Sequence, residues 1–320
     1  MGNGAERLSL KKWGVFNHFL YNNVCNCENS HNMETGITDW NAAVNCFDVE
    51  KLAYRLHKMN VGYYFITMMQ GSKHMLAPNS AYDRIAGTNP GEACALRDLP
   101  MDLSDALRKY NIDLCLYYTG DGPHNDEVIG GRFGFNGDAW DGVSKVDRNF
   151  CENWAKVLEE YAQRYGDRVS AWWIDGCYRE QLGYTDEYMK LYFDAVKAGN
   201  PDVAVGFNNG ITHKRLTKTY IDEDFVAGEY NDFLIRPAGK YIDGALAHIL
   251  APLGYGKKAY EDGHDDWCSN GIKHPRDYML DYIQGFNRKG GAVTVDIMVN
   301  IDGSFDPEQE ALLRWVGEKL

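Results

Sequence analysis

Strand-like and helix-like segments alternate from one end of this chain to the other, and no other feature limits its fold so strongly. Two parallel strands can be joined only through a crossover, usually a helix, so a run of βα pairs implies a parallel sheet. Apolar strand patterns are read over 14–19, 63–68, 113–118, 170–174, 203–207, 225–228 and 292–299, with a poorly defined apolar stretch near 245–253. Helical periodicity is read near 48–59, 101–109, 150–165, 186–198, 276–288 and 307–319. Asp48 reads as a helix cap, and Gly166-Asp167 and Gly199-Asn200-Pro201 read as stops. No linker interrupts the series, and 320 residues exceed the usual single domain except for barrels and large α/β folds. The expectation is an α/β protein, a single-domain (β/α)₈ TIM-type barrel over 1–320 with no C-terminal β-sandwich.

The rival, a doubly wound open sheet, requires a Gly-rich phosphate turn after its first strand. Here that strand runs into His18-Phe19-Leu20-Tyr21-Asn22-Asn23-Val24, and no other nucleotide or metalloprotease motif follows. Acidic residues number 46 against 33 basic ones, so a surface of net charge −13 repels nucleic acid and anionic membrane, and a neutral substrate fits better. No apolar run reaches membrane-span length, and the first residues lack a signal-peptide core, which leaves the compartment open, cytoplasmic or secreted with a leader removed. The scattered cysteines read as reduced thiols, and Cys25 with Cys27 makes a poor metal site. No cofactor is expected, and oligomeric state is not legible.

In a barrel, the loops after the strands build the active site, and those after the first three strands are long here. The best chemical signal is Ser170-Ala171-Trp172-Trp173-Ile174-Asp175-Gly176, an apolar strand ending in a carboxylate and then a glycine. The carboxylate emerges at the barrel mouth, while the glycine lets the backbone turn sharply and leaves room for substrate. His18 ends the first strand and is placed to bond a sugar hydroxyl. Tyr117, Tyr118 and Asp121 end the third, and one of the two tyrosines must point inward and the other outward. Asn208 and Asn209 follow the fifth strand, where amides suit hydroxyl recognition or a simple turn beside Gly210.

Acetal hydrolysis needs two carboxyl groups, one to attack or activate water and one to protonate the leaving oxygen. The partner of Asp175 is sought at a later strand end: Glu229 first, with Glu261 and Asp262 in reserve. A metal at His264, Asp265 and Asp266 with Asp262 is the weaker alternative, because acidic loops are usually only solvated.

These residues resemble the α-L-fucosidases of glycoside hydrolase family 29. Lys12-Trp13-Gly14-Val15-Phe16-Asn17-His18-Phe19 is similar to that family's K-F-G-I-F-x-H-W-G strand, and Trp173-Ile174-Asp175-Gly176 to its W-F-D-G. Phe47-Asp48 through Ala53, Asn60 through Thr67, Ala292 through Gly303 and Pro307 through Leu320 resemble further family segments. The resemblance implies an exo-acting, retaining hydrolase that forms a glycosyl ester on Asp175; Glu229 as acid/base rests on its place at a later strand end, because that residue varies in position within the family. His18, Gln70, His74, Tyr117, Trp173 and Asn208 would shape the sugar site. Two departures stand out: Met68-Met69-Gln70-Gly71-Ser72 replaces the family's H-H-D-G-F, and Asn208-Asn209-Gly210 lacks the arginine of N-D-R. They keep open another sugar, such as an α-L-galactoside, and a non-catalytic carbohydrate-binding barrel.

Overall fold

The computed structural model describes residues 3–24, 36–211, 214–255 and 266–320. Five strands, β1 (Trp13–Asn17), β2 (Tyr63–Thr67), β3 (Asp113–Thr119), β4 (Val169–Asp175) and β5 (Ala204–Phe207), lie side by side in chain order. A short antiparallel pair follows, β6 (Tyr241–Ile242) with β7 (Ala245–Leu246), and then β8 (His248–Pro252) and β9 (Ala292–Asp296). β9 pairs parallel with both β1 and β8, so the sheet curls from β5 round to β8.

Segment 224–230 fills the gap between those two edges. Asp224 N–H donates to the Val205 carbonyl at 2.8 Å, while Val226 and Tyr230 N–H donate to the Leu246 and Leu250 carbonyls, each at 3.0 Å. Isolated parallel bridges Phe225↔Leu246 and Glu229↔Leu250 fix its register. Eight parallel staves therefore close, as the alternation of the sequence predicts. The pairing is irregular for a local reason: Gly228 sits at φ 65°, and a Cβ there would come within 2.0 Å of the His248 carbonyl oxygen.

Strand alternation sorts the core into two layers. Phe16, Phe65, Cys115, Tyr117, Ala171, Trp173, Ala227 and Leu250 pack inside the barrel, whereas Val15, Ile66, Leu116, Tyr118, Trp172 and Ile174 face the helices. The two tyrosines divide as period two requires, with Tyr118 stacked on Trp154 of the helix Arg148–Tyr165. Beneath the mouth the interior is polar but satisfied: the His248 ring meets Thr294 Oγ1 at 2.7 Å and the Ala227 carbonyl at 2.9 Å, and Tyr63 OH donates to the Val293 carbonyl at 2.9 Å.

The helix Asn3–Lys11 was not read in the sequence. Its Ala5 and Leu8 join the inner layer and plug the lower end of the barrel, and Arg7 forks onto Asp113 at 2.5 and 2.6 Å. The long loops after β1, β2 and β3 carry short helices, Trp40–Cys46, Ser80–Ala86 and Glu127–Phe133, capped by Asp39, Asn79 and Asp126. Between Gly199 and Arg276 no helix occurs among the described residues. The stretch near 245–253 resolves into β7 and β8, and the first strand ends at Asn17, one residue before His18.

Candidate active site

Period two decides which side chains meet at the mouth. Along β4, Ala171 and Trp173 point inward, so Asp175 does as well; on segment 224–230, Phe225 and Ala227 point inward and carry Glu229 with them. Asn208 follows β5 and turns into the same space. Its Nδ2 donates to Asp175 Oδ1 at 2.8 Å and to Glu229 Oε2 at 2.5 Å. Those two carboxyl oxygens are therefore no farther apart than the two bonds laid end to end, about 5.3 Å. Tyr117 OH donates to the other Asp175 oxygen, Oδ2, at 2.5 Å.

A cavity of about 210 Å³ opens at this pair, lined by the apolar Phe16, Leu20 and Leu250 and by His18, Gln70, Tyr117 and Trp173. Trp173 stacks on Tyr117 with ring centroids 5.4 Å apart, and its indole N–H donates to the Ala227 carbonyl at 3.0 Å, which locks the ring. His18 meets Asp296 Oδ1 at 2.9 Å, while Asp296 Oδ2 accepts the Cys268 backbone N–H at 2.9 Å. Burial works against the charged imidazole, but Cys268 and Asp296 outweigh it and hold its pKa well above the usual histidine value.

Burial, then the charge of Asp175, push the Glu229 carboxyl up to about 8, against the pull of the Asn208 hydrogen bond and of His18. A pKa of about 8 keeps Glu229 protonated at neutral pH, the state a proton donor needs. A third carboxyl, Asp121, sits nearby with His124 Nδ1 3.3 Å from its Oδ2 and Thr119 Oγ1 donating to its Oδ1. Burial raises Asp121 to about 6. Gly176 turns at φ 67°, the sharp turn expected of it, but the space beside it is occupied by Asp121: a Cβ there would lie 2.9 Å from that carboxyl. The glycine makes room for a neighbouring side chain.

The fold built around this pair has known counterparts. It is the fold of family 29 α-L-fucosidases and family 107 endo-fucoidan hydrolases. The endo-fucoidan hydrolase MfFcnA9 superposes with a TM-score of 0.73 at 14% identity over 99% of this chain and 64% of its own. An α-L-fucosidase from Bacteroides thetaiotaomicron gives 0.65 at 17%, over 99% of this chain and 73% of its own. The α-L-fucosidase AlfC, in a fucosyltransferase mutant form, gives 0.67 at 16%, over 100% and 98%. The chain spans 64% of the length of MfFcnA9 and 54% of that of MfFcnA4, another endo-fucoidan hydrolase. No family model matches the chain, and no curated protein matches it in sequence.

Within this fucosidase-like barrel, the sequence-expected residues Asp175, Glu229, His18, Gln70, Tyr117 and Trp173 line one cavity, and Asn208 joins its two acids. His74 is not on that wall. It stacks on Tyr21 at 3.9 Å beside Trp40, and burial lowers its pKa to about 4. Sequence reasoning missed Trp267 and Cys268, which also line the cavity, and Asp296, the partner of His18. Asp296 could have been found by counting: it closes β9 in phase with Ala292 and Thr294. The reserve acids Glu261 and Asp262, the His264 and Asp265 metal candidates, and Cys25 and Cys27 lie outside the described residues. Among the described residues no group of three or more His, Cys, Asp or Glu comes together as a metal site, and Asp266 pairs with Lys273 Nζ at 2.9 Å.

Proposed function

We propose that residues 1–320 form one catalytic barrel that hydrolyses a terminal α-linked sugar of the L-fucose kind with retention, Asp175 acting as nucleophile and Glu229 as acid/base. The observation that carries this reading is the single Asn208 amide bridging the Asp175 and Glu229 carboxyl groups, with burial raising the Glu229 pKa to about 8. Retaining enzymes hold these groups about 5–5.5 Å apart and inverting ones about 6.5–9.5 Å, to admit a water between them. The bridged oxygens fall on the short side.

In the first step an Asp175 oxygen attacks the anomeric carbon while Glu229 passes its proton to the departing glycosidic oxygen. In the second, the Glu229 carboxylate takes a proton from water, the water oxygen bonds the anomeric carbon, and the bond to Asp175 breaks. Tyr117 orients the nucleophile through its Oδ2 contact, and a cationic His18 supplies a donor for a sugar hydroxyl. The cavity has room for one ring, and the apolar side chains of Phe16, Leu20 and Leu250 in its lining are compatible with a methyl group in place of a hydroxymethyl. The fucose-active names of the structural neighbours point the same way.

The test is turnover of 4-nitrophenyl α-L-fucoside and α-L-galactoside, with the first-formed anomer followed by NMR. The expected result is α-anomer first, loss of activity in Asp175→Ala, and azide rescue of Glu229→Ala as the α-glycosyl azide. A β-anomer first, or full activity in Asp175→Ala, sinks the mechanism. Azide rescue of Asp121→Ala in place of Glu229→Ala would move the proton-donor role to Asp121.

A further inference from the structure

One carboxylate at the barrel mouth holds a histidine and a cysteine together. Asp296, at the end of β9, reaches both: its Oδ1 meets His18 Nδ1 at 2.9 Å, and its Oδ2 accepts the Cys268 backbone N–H at 2.9 Å. The Cys268 side chain in turn hydrogen-bonds the His18 ring. A carboxylate that orients an imidazole, with that imidazole on a thiol, is an arrangement that activates a nucleophile.

The turn is built to keep the sulfur there. Cys268 sits at φ 56°, a left-handed angle that a residue with a Cβ adopts only under constraint. The buried Gln309 supplies part of that constraint, since its Nε2 donates to the Ser269 and Gly271 carbonyls at 2.9 and 2.8 Å. Trp267 packs edge-on against the His18 ring with centroids 5.7 Å apart, so the imidazole is fixed from a second side. Cys268 itself is half-buried and lines the 210 Å³ cavity along with Asp175 and Glu229.

Cysteines elsewhere in the barrel give the contrast. Cys115, Cys151 and Cys177 are buried, and burial pushes their thiols up, that of Cys151 to about 11, which leaves them inert. Cys268 instead faces an imidazole that Asp296 and Cys268 together hold in its charged form. A cationic partner beside a half-buried sulfur is the setting in which cysteines react.

The geometry points to Cys268 as a modification site, a nucleophilic thiol in the wall of the cavity that takes a hydroperoxide and is oxidised by it to the sulfenic acid. With its proton on the His18 ring, Sγ attacks the terminal peroxide oxygen. The S–O bond forms as the O–O bond breaks, and the departing oxygen takes the proton from His18 and leaves as water or an alcohol. Sulfur gives up two electrons, and the peroxide accepts them. The step uses neither Asp175 nor Glu229, so it stands whichever reaction that pair performs.

The test follows the sulfur and needs no sugar. The reduced full chain is treated with hydrogen peroxide in the presence of dimedone, which traps sulfenic acids, and the adducts are located over time by peptide mass spectrometry. Cys46, exposed at the end of the helix Trp40–Cys46, is the internal control. Cys268 should be trapped about tenfold faster than Cys46 or more, although it is the less exposed of the two. His18→Gln and Asp296→Asn should each slow Cys268 by about tenfold and leave the Cys46 rate unchanged. In wild type without dimedone, the NMR signals of the His18 ring should move on oxidation and return with dithiothreitol, a readout that survives if either variant fails to fold. Trapping of Cys46 as fast as Cys268, a Cys268 rate indifferent to both substitutions, or a His18 ring that does not register the oxidation would each overturn the assignment.

Discussion

Glu229→Gln offers a test of the site's electrostatics that does not depend on knowing the substrate. Burial and the Asp175 charge raise the folded-state pKa of Glu229 from 4.5 to about 8. Between those two values the folded chain holds a proton that the unfolded chain has released, so wild-type stability is fully present below pH 4.5 and is lost as pH rises through about 8. At about 1.4 kcal/mol per pH unit over that interval, the loss has a ceiling of ~5 kcal/mol. Glutamine keeps the shape and stays neutral, so it escapes the loss entirely. With about 2.1 cal/mol/K per residue of unfolding entropy, 1 kcal/mol moves the Tm of a chain this long by about 1.5 °C.

Thermal unfolding of wild type and Glu229→Gln, followed by calorimetry from pH 5 to pH 9.5, should therefore give curves that meet near pH 5 and separate above pH 8. The variant should be the more stable there by about 3–7 °C. It should also lose about 10²–10⁴-fold in kcat on substrates with poor leaving groups, and the alkaline fall of kcat/KM near pH 8 should vanish. Parallel stability profiles across the whole range would mean that Glu229 is ionised or solvated in the folded state, and the acid assignment would fail with them.

Tyr117→Phe removes one donor to the Asp175 carboxylate, and a hydrogen bond to a charged group is worth about 1.5–3 kcal/mol, so kcat/KM should fall roughly 10–100-fold. Unchanged kinetics would show that Tyr117 does not orient the nucleophile. Asp296→Asn takes away the carboxylate facing His18, so the imidazole should titrate lower, and NMR of the His18 ring should report the drop while the fold persists. A His18 pKa that does not move would place its stabilisation elsewhere.

The eight-stave barrel was legible because most of its strands have a strong local pattern, and the weak places have physical causes. Segment 224–230 is short and broken by Gly228 at a left-handed angle, so it pairs through bridges and not a regular ladder. The stretch near 245–253 reads poorly because β7 and β8 meet almost end to end and are buried on both faces, which erases the period-two signal. The helix Asn3–Lys11 carries its apolar residues on a face that meets the barrel floor, a contact made by β strands hundreds of residues away and invisible locally.

The site was legible to the same extent that strand phase was. Asp175, Glu229 and His18 lie at or just past strand ends, in phase with inward residues, and from there the barrel itself brings them together. His74 lies farther along a loop after β2, where no phase relation holds, and it turned to the Tyr21 ring. Trp267 and Cys268 come from a turn whose position is set by contacts to Asp296 and Asn231 across the mouth. Asn208 is the instructive case, because its sequence context allowed a plain turn as easily as a binding role. What separates these is geometry that only closure supplies: β4, β5 and segment 224–230 are adjacent staves, so a residue one step past the middle one must sit between acids carried by its two neighbours. An amide there can donate to both, and an apolar residue in its place would leave two buried carboxyl groups facing each other without a shared donor.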